Sequence, residues 1–149
     1  MRARQTIAFL LISSALFLRA SGIRMGSSFG TSMSPTIEDR DLCLFVPEAT
    51  IQRGDICVVE SPILGTLVKR VVALEGDTVE GREQSVYVNG ELAAGPSPDC
   101  WMDYKSVVPD GCVYLLGDNL ADSFDSRYWA LDTVREDQVV GTLSYIWKR

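Results

Sequence analysis

Three segments of this chain carry residue types that could do chemistry. In the first, Lys69 lies within Thr66-Leu67-Val68-Lys69-Arg70-Val71-Val72-Ala73-Leu74. Read as a strand, this run puts Leu67, Lys69, Val71 and Ala73 on one face and Val68, Arg70, Val72 and Leu74 on the other. A lysine with only apolar same-face neighbours sits where burial disfavours the ammonium and lowers its pKa towards neutrality, as a lysine general base requires. The same pattern fits an edge-strand lysine whose stem covers apolar surface while its head stays wet. In the second segment, Gly30-Thr31-Ser32-Met33-Ser34-Pro35-Thr36-Ile37, the glycine and proline bracket a stretch that is neither regular helix nor central strand. Such a bend can present a serine hydroxyl beside free backbone N–H groups, although its composition also describes an ordinary loop. The third runs from Gly117 to Trp129 and holds acids at 118, 122 and 125 without the spacing or terminal Glu of an EF-hand. An Asp125–Arg127 interaction in a loop packed by Tyr128 and Trp129 is the economical reading.

What is missing narrows the chemistry further. The 149 residues contain no histidine, which excludes a Ser-His-Asp triad, a Cys-His dyad and an H-E-x-x-H zinc site. With 14 Lys+Arg against 20 Asp+Glu and a formal charge of −6, the chain has no basic stripe to meet nucleic-acid phosphates. Lys105 and Lys148, the only other lysines, lack apolar surroundings and are assigned to solvent. The four cysteines show no C-x-x-C spacing, against a zinc ribbon or thioredoxin-like pair. Cys43 and Cys57 lie in apolar runs and read as small hydrophobes. Cys100 and Cys112 flank a local loop, either as a disulfide or as free thiols.

The elements that must position these segments are mostly β. Candidate strands are Leu42–Val46, Ile56–Glu60, Thr66–Leu74, Ser85–Val88, Cys112–Leu116 and Val139–Trp147, separated by turn signals. Asn89-Gly90, between Val86-Tyr87-Val88 and Glu91-Leu92-Ala93, is the strongest hairpin signal. Residues 82–109 have the weakest apolar pattern and read as a small appendage on a barrel-like or coiled-sheet core. Ahead of this, Arg2 and Arg4 precede an uncharged run over 6–18. As helix that run covers about 20 Å of a ~30 Å hydrocarbon core. It suits a signal-peptide h-region, or a span completed by snorkelling of Arg19 with 21–25 among the headgroups. Either way the arginines hold the N-terminus in the cytoplasm and send the chain beyond residue 25 outwards. The chain therefore divides into a tip and anchor over 1–25 and an extracytoplasmic β domain over 26–149, at the cell membrane.

Taken in order, these segments resemble the type I signal peptidases, the serine–lysine proteases that remove signal peptides from exported proteins. The S-M-x-P-T box stands as Ser32-Met33-Ser34-Pro35-Thr36 and the R-G-D-h-h-V-V box as Arg53 to Val59. Lys69-Arg70-Val71-Val72-Ala73-Leu74-Glu75-Gly76-Asp77 matches the K-R-V box, and Gly117 to Tyr128 the G-D-N-x-x-x-S-x-D-S-R-Y box. The resemblance implies a mostly β fold, Ser32 as nucleophile and Lys69 as general base. It further implies that Ser123 orients the lysine amine, that Asp125 and Arg127 form a structural pair, and that the Ser32 N–H belongs to an oxyanion hole. Many bacterial members carry a hydroxyl two residues before the nucleophile, where this chain has Gly30. A G-x-S-M stretch like this one is similar to that of mitochondrial inner-membrane members, with backbone and water, Thr31 or Ser28 supplying the donor. Shallow pockets walled by Phe29, Ile37, Leu67 and Val68 would confer the family's Ala-x-Ala preference. The implied partners are preprotein signal peptides and a lipid bilayer, not nucleic acid, and no metal or organic cofactor is implied.

Two other readings compete. A self-cleaving repressor uses the same pair but needs a DNA-binding head and an Ala-Gly upstream of the nucleophile, whereas Ala94-Gly95 lies downstream. A membrane-tethered β domain that binds a partner without catalysis is the reading that Gly30 keeps open.

Overall fold

The computed structural model describes residues 22–47, 50–63, 65–97, 103–129 and 132–149. The anchor segment and Cys100 lie outside the described residues, and so therefore does any Cys100–Cys112 pairing. Apolar runs bounded by turns form strands: β2 (Leu42–Val46), β3 (Ile56–Ser61), β4 (Gly65–Ala73), β6 (Ser85–Val88), β9 (Cys112–Leu116) and β11 (Val139–Trp147). Five more strands complete the set: β1 (Arg24–Ser27), β5 (Thr78–Arg82), β7 (Glu91–Ala94), β8 (Tyr104–Val107) and β10 (Val134–Arg135). The order in the larger sheet is β1-β2-β11-β3-β4-β9-β10 and in the smaller β7-β6-β5-β8, with antiparallel pairing. Among the described residues the only helical turns are two short 3₁₀ pieces, Leu120–Asp122 and Glu136–Gln138. No helix among them is long and apolar enough to cross a membrane.

The smaller sheet begins at Thr78, ahead of the expected appendage boundary, and shares a core with the larger one. Val79, Val86 and Val88 pack with Val72, Ala73, Tyr114 and Leu116. Burial on one face offsets the chain entropy of ordering such short strands. Asn89 and Gly90 both take positive φ, 53° and 86°, as a two-residue type I′ hairpin turn demands.

Strand β4 carries Lys69 and departs from simple alternation. Its register against β9 shifts between Val71 and Ala73, the signature of a bulge that turns following side chains over. Ala73 thus joins Val72 in the core shared with the small sheet, while Leu74 packs with Leu67 and Val71. The two exchange the faces expected of them; upstream of the bulge, Leu67 and Val71 keep theirs. Cys43 and Cys57 are buried, as apolar-run cysteines should be, and burial pushes the Cys57 thiol up to about 12.

Candidate active site

Residues 28–41 form a loop hung between β1 and β2. The Ser28 N–H donates to the Asp41 carbonyl at 2.8 Å and the Arg40 N–H to the Ser28 carbonyl at 2.8 Å, closing its base. Within it, Ser34 N–H donates to Thr31 O and Ile37 N–H to Met33 O, a tight turn that lifts Ser32 while Met33 and Ile37 sink into the core with Cys43, Phe45, Ile56 and Val58. Anchoring on two buried side chains holds the serine rigidly, as a preorganised reacting group must be held.

Strand β4 brings up the amine. Lys69 Nζ donates to Ser32 Oγ at 2.7 Å, and Lys69 is only 4% exposed. Burial pushes its ammonium below the usual lysine range; the Asp125 charge pulls the other way and Arg127 adds to the depression. The wet-headed edge lysine is therefore not what forms: β4 is an interior strand, flanked by β3 and β9.

The loop from Gly117 to Trp129 clasps the serine turn from the other side. Asn119 donates its N–H to the Ser32 carbonyl at 3.0 Å and its Nδ2 to the Thr31 carbonyl at 3.2 Å. The Thr31 hydroxyl donates to the Asp122 carboxylate. Beneath, Arg127 Nε donates to Asp125 Oδ1 at 2.8 Å and Nη2 to Oδ2 at 3.0 Å, with both side chains almost wholly buried. Arg127 also reaches the Leu120 and Ser123 carbonyls, and Asp125 accepts from the Gly117 N–H. This bidentate pair is the internal frame of the loop. The three acids have separate duties: Asp118 grips Arg70 bidentately at 2.7 and 2.6 Å, Asp122 holds Thr31 and Asp125 holds Arg127.

Gly117 is required for space. A Cβ there would stand 2.4 Å from the Ser32 carbonyl oxygen and 2.2 Å from Ser123 Oγ. Gly30 is the opposite case, with open space around it and a φ of +91° that side chains resist.

Several expected roles are revised. Ser123 lies against Gly117, but its buried Oγ makes no hydrogen bond with Lys69 or any other described residue; the amine is already turned to Ser32. Thr31 cannot lend its hydroxyl to an oxyanion because Asp122 holds it, and the Gly30 N–H is spent on Asp39 Oδ1 at 3.0 Å. Among the described residues nothing accepts the Ser32 N–H, which leaves it available. Ile37 is 0% exposed, so it supports the site from below and cannot wall an open pocket. Phe29 is 82% exposed, and Leu67 packs into the core with Val71. Val68 alone of the four lines a hollow, about 210 Å³, between β1 and β4 above Phe45 and Val58. Lys105 does face solvent, paired with Glu80 at 2.6 Å. Lys148 does not simply face solvent: it donates to the Thr36 carbonyl at 2.7 Å and stands 3.0 Å from the buried Asp41 carboxylate, which a buried charge demands.

A serine hydroxyl and a desolvated amine at hydrogen-bond distance, in a chain without histidine, define a serine–lysine site on a coiled antiparallel sheet. Residues 2–148 match the model of the family described as signal peptidase, peptidase S26. The chain is 32% identical over 136 residues to signal peptidase I V of Bacillus subtilis, covering 77% of this chain and 80% of that protein. It is 37% identical over 134 residues to mitochondrial inner membrane protease subunit 1 of Mus musculus, covering 85% and 70%. The crystal structure of a signal peptidase I from Enterococcus faecalis superposes with a TM-score of 0.53 at 31% identity, covering 66% of this chain and all of that one. The chain belongs to the signal peptidase family S26, and it is a hydrolase, a serine endopeptidase.

Proposed function

We propose that this protein is a membrane-bound endopeptidase that removes N-terminal signal peptides from exported preproteins, cutting after Ala-x-Ala, with Ser32 as nucleophile and Lys69 as general base. The observation that carries the reading is the 2.7 Å contact between Lys69 Nζ and Ser32 Oγ with the lysine buried. In the neutral form the amine accepts the hydroxyl proton while Oγ attacks the scissile carbonyl. The Ser32 N–H then faces the developing oxyanion. The Lys69 ammonium returns its proton to the departing amine, and a water activated by the same amine releases the acyl group. Asp125 and Arg127 hold the loop that positions the serine, and burial, more than either charge, keeps the base ready.

The acyl half of the substrate fits the hollow between β1 and β4. Strand β1 is the outer strand of its sheet, so its free backbone edge can pair with an extended peptide. The apolar floor of Phe45 and Val58 receives small apolar side chains. The exposed Met25 that lines it and the exposed Phe29 of the serine loop suit a bilayer surface, consistent with an anchor over residues 6–18, an N-terminus in the cytoplasm and an extracytoplasmic domain over 26–149. The test is cleavage of a membrane-inserted preprotein carrying Ala-x-Ala, followed by mass spectrometry. Wild type is expected to cut after the second Ala, and Ser32→Ala and Lys69→Ala to be inert. Wild-type inertness would overturn the reading in favour of a tethered binding domain.

A further inference from the structure

The serine loop has two limbs, held by different parts of the chain. The near limb is clasped by Asn119, on the Thr31 and Ser32 carbonyls, and by Asp122, on the Thr31 hydroxyl. The far limb, from Met33 to Asp41, receives Lys148, which stands just past the end of β11. Lys148 Nζ donates to the Thr36 carbonyl at 2.7 Å and lies 3.0 Å from Asp41 Oδ2. Asp41 is buried and closes the loop: its carbonyl accepts from the Ser28 N–H, Oδ2 from the Glu38 N–H at 3.0 Å and Oδ1 from the Arg149 N–H at 3.2 Å. The sheet itself delivers the amine, because Trp147 pairs with Leu42, the residue after Asp41. One ammonium therefore ties the middle of the far limb to the base of the loop and to β11.

We infer that Lys148 is a positioning residue for the nucleophile: by holding Thr36 to the end of β11, it fixes the turn that carries Ser32. The inference rests on the peptidase reading. Ser32 and Thr36 belong to one tight stretch of chain, in which the Ser34 N–H donates to the Thr31 carbonyl at 3.0 Å and the Ile37 N–H to the Met33 carbonyl at 2.9 Å. A displacement of Thr36 is therefore passed on to the serine. Without Lys148, Asp41 keeps its two backbone donors and the base of the loop stays closed; what is lost is the restraint on Thr36. Neither Lys148, Thr36 nor Asp41 lines the β1–β4 hollow, so Lys148 acts through Ser32 and not on the acyl half of the substrate. A loosened turn holds Oγ at the Lys69 amine for less of the time, which slows the chemical step and leaves binding alone.

The experiment measures kcat and KM on a quenched fluorescent Ala-x-Ala peptide with the full chain, well below the melting transition of each variant. Lys148→Met is expected to lower kcat about tenfold with KM within about twofold of wild type. Lys148→Arg keeps the charge and the donors and should recover most of that loss, whereas Lys105→Met, which breaks a pair with Glu80 on the small sheet, should match wild type. If the unpaired Asp41 carboxylate leaves Lys148→Met unfolded, Asp41→Asn with Lys148→Met removes that charge, still lacks the tie to Thr36 and is expected to show the same fall in kcat. A kcat within about twofold of wild type in the folded Met variant, a loss carried wholly by KM, or no recovery in Lys148→Arg overturns the positioning role while leaving the peptidase reading intact. A wild type that does not cut the peptide overturns the peptidase reading, and this inference with it.

Discussion

Replacing Gly117 by alanine adds one methyl group at the contact between the serine turn and the loop that clasps it. The new Cβ would lie 2.4 Å from the Ser32 carbonyl oxygen, whereas ordinary contact begins near 3.4 Å, so the serine turn must retreat by about 1 Å. A retreat of that size at a reacting group costs about 10²-fold in rate, and overpacking costs about 1–3 kcal/mol of stability. The two effects can be separated, because the other clashes, at 2.2 and 2.6 Å, are with Ser123 side-chain atoms. Gly117→Ala with Ser123→Gly removes those and leaves the Ser32 clash. The assay is kcat/KM on a quenched fluorescent Ala-x-Ala peptide alongside a thermal melt. The single variant is expected to lose about a hundredfold in activity and several degrees in Tm, and the double variant to regain stability but not rate. Wild-type kcat/KM in Gly117→Ala, or full recovery of rate in the double variant, refutes the placement of Gly117 against the nucleophile.

Because Lys69 must be neutral to act, and burial holds its pKa below the ordinary lysine range, kcat/KM should rise with pH along a limb whose midpoint lies below that of a free lysine. The same depression means the unfolded chain binds more protons between the folded and unfolded pKa values, so stability should rise with pH across that window; Lys69→Met, inert as an enzyme, should flatten that stability curve. Asp125→Asn strips the buried Arg127 of its ion-pair partner and is expected to cost about 3–5 kcal/mol in denaturant melts. It also removes the charge that raises the Lys69 pKa, so any surviving activity should show its limb at lower pH. Gly30→Ala meets no neighbour but holds φ at +91°, and should lower stability by about 1–2 kcal/mol with kcat/KM changed less than threefold.

Much of this architecture is legible in residue order, and the failures have physical causes. Leu42–Val46, Ser85–Val88, Cys112–Leu116 and Val139–Trp147 stand where turn-bounded apolar runs put them, because burial of their apolar side chains, on both faces for Cys112–Leu116, dictates each. Strand β1 carries no such signal: all four residues are exposed, and pairing with β2 alone makes it a strand. The Lys69 environment is readable up to Val71 and lost at the bulge, since the shift depends on the partner strand β9. Within the site, Ser32 and Lys69 are legible through their boxes and the Asp125–Arg127 pair through its spacing. The hold of Asp122 on Thr31 spans 91 residues, and that of Asp118 on Arg70 spans 48; neither contact exists until the sheet has folded. Lys148 reads as solvated in the sequence because Asp41, its buried partner, lies at the other end of the β domain in chain order.

The central claim is that one buried lysine serves as a neutral base. With three lysines in the chain, ¹⁵N NMR of the side-chain amines resolves them individually in the intact protein. Lys69 is expected to lose its proton below the ordinary lysine range, and Ser32→Ala should leave that depression in place. A Lys69 that keeps its proton through the ordinary lysine range would contradict the account.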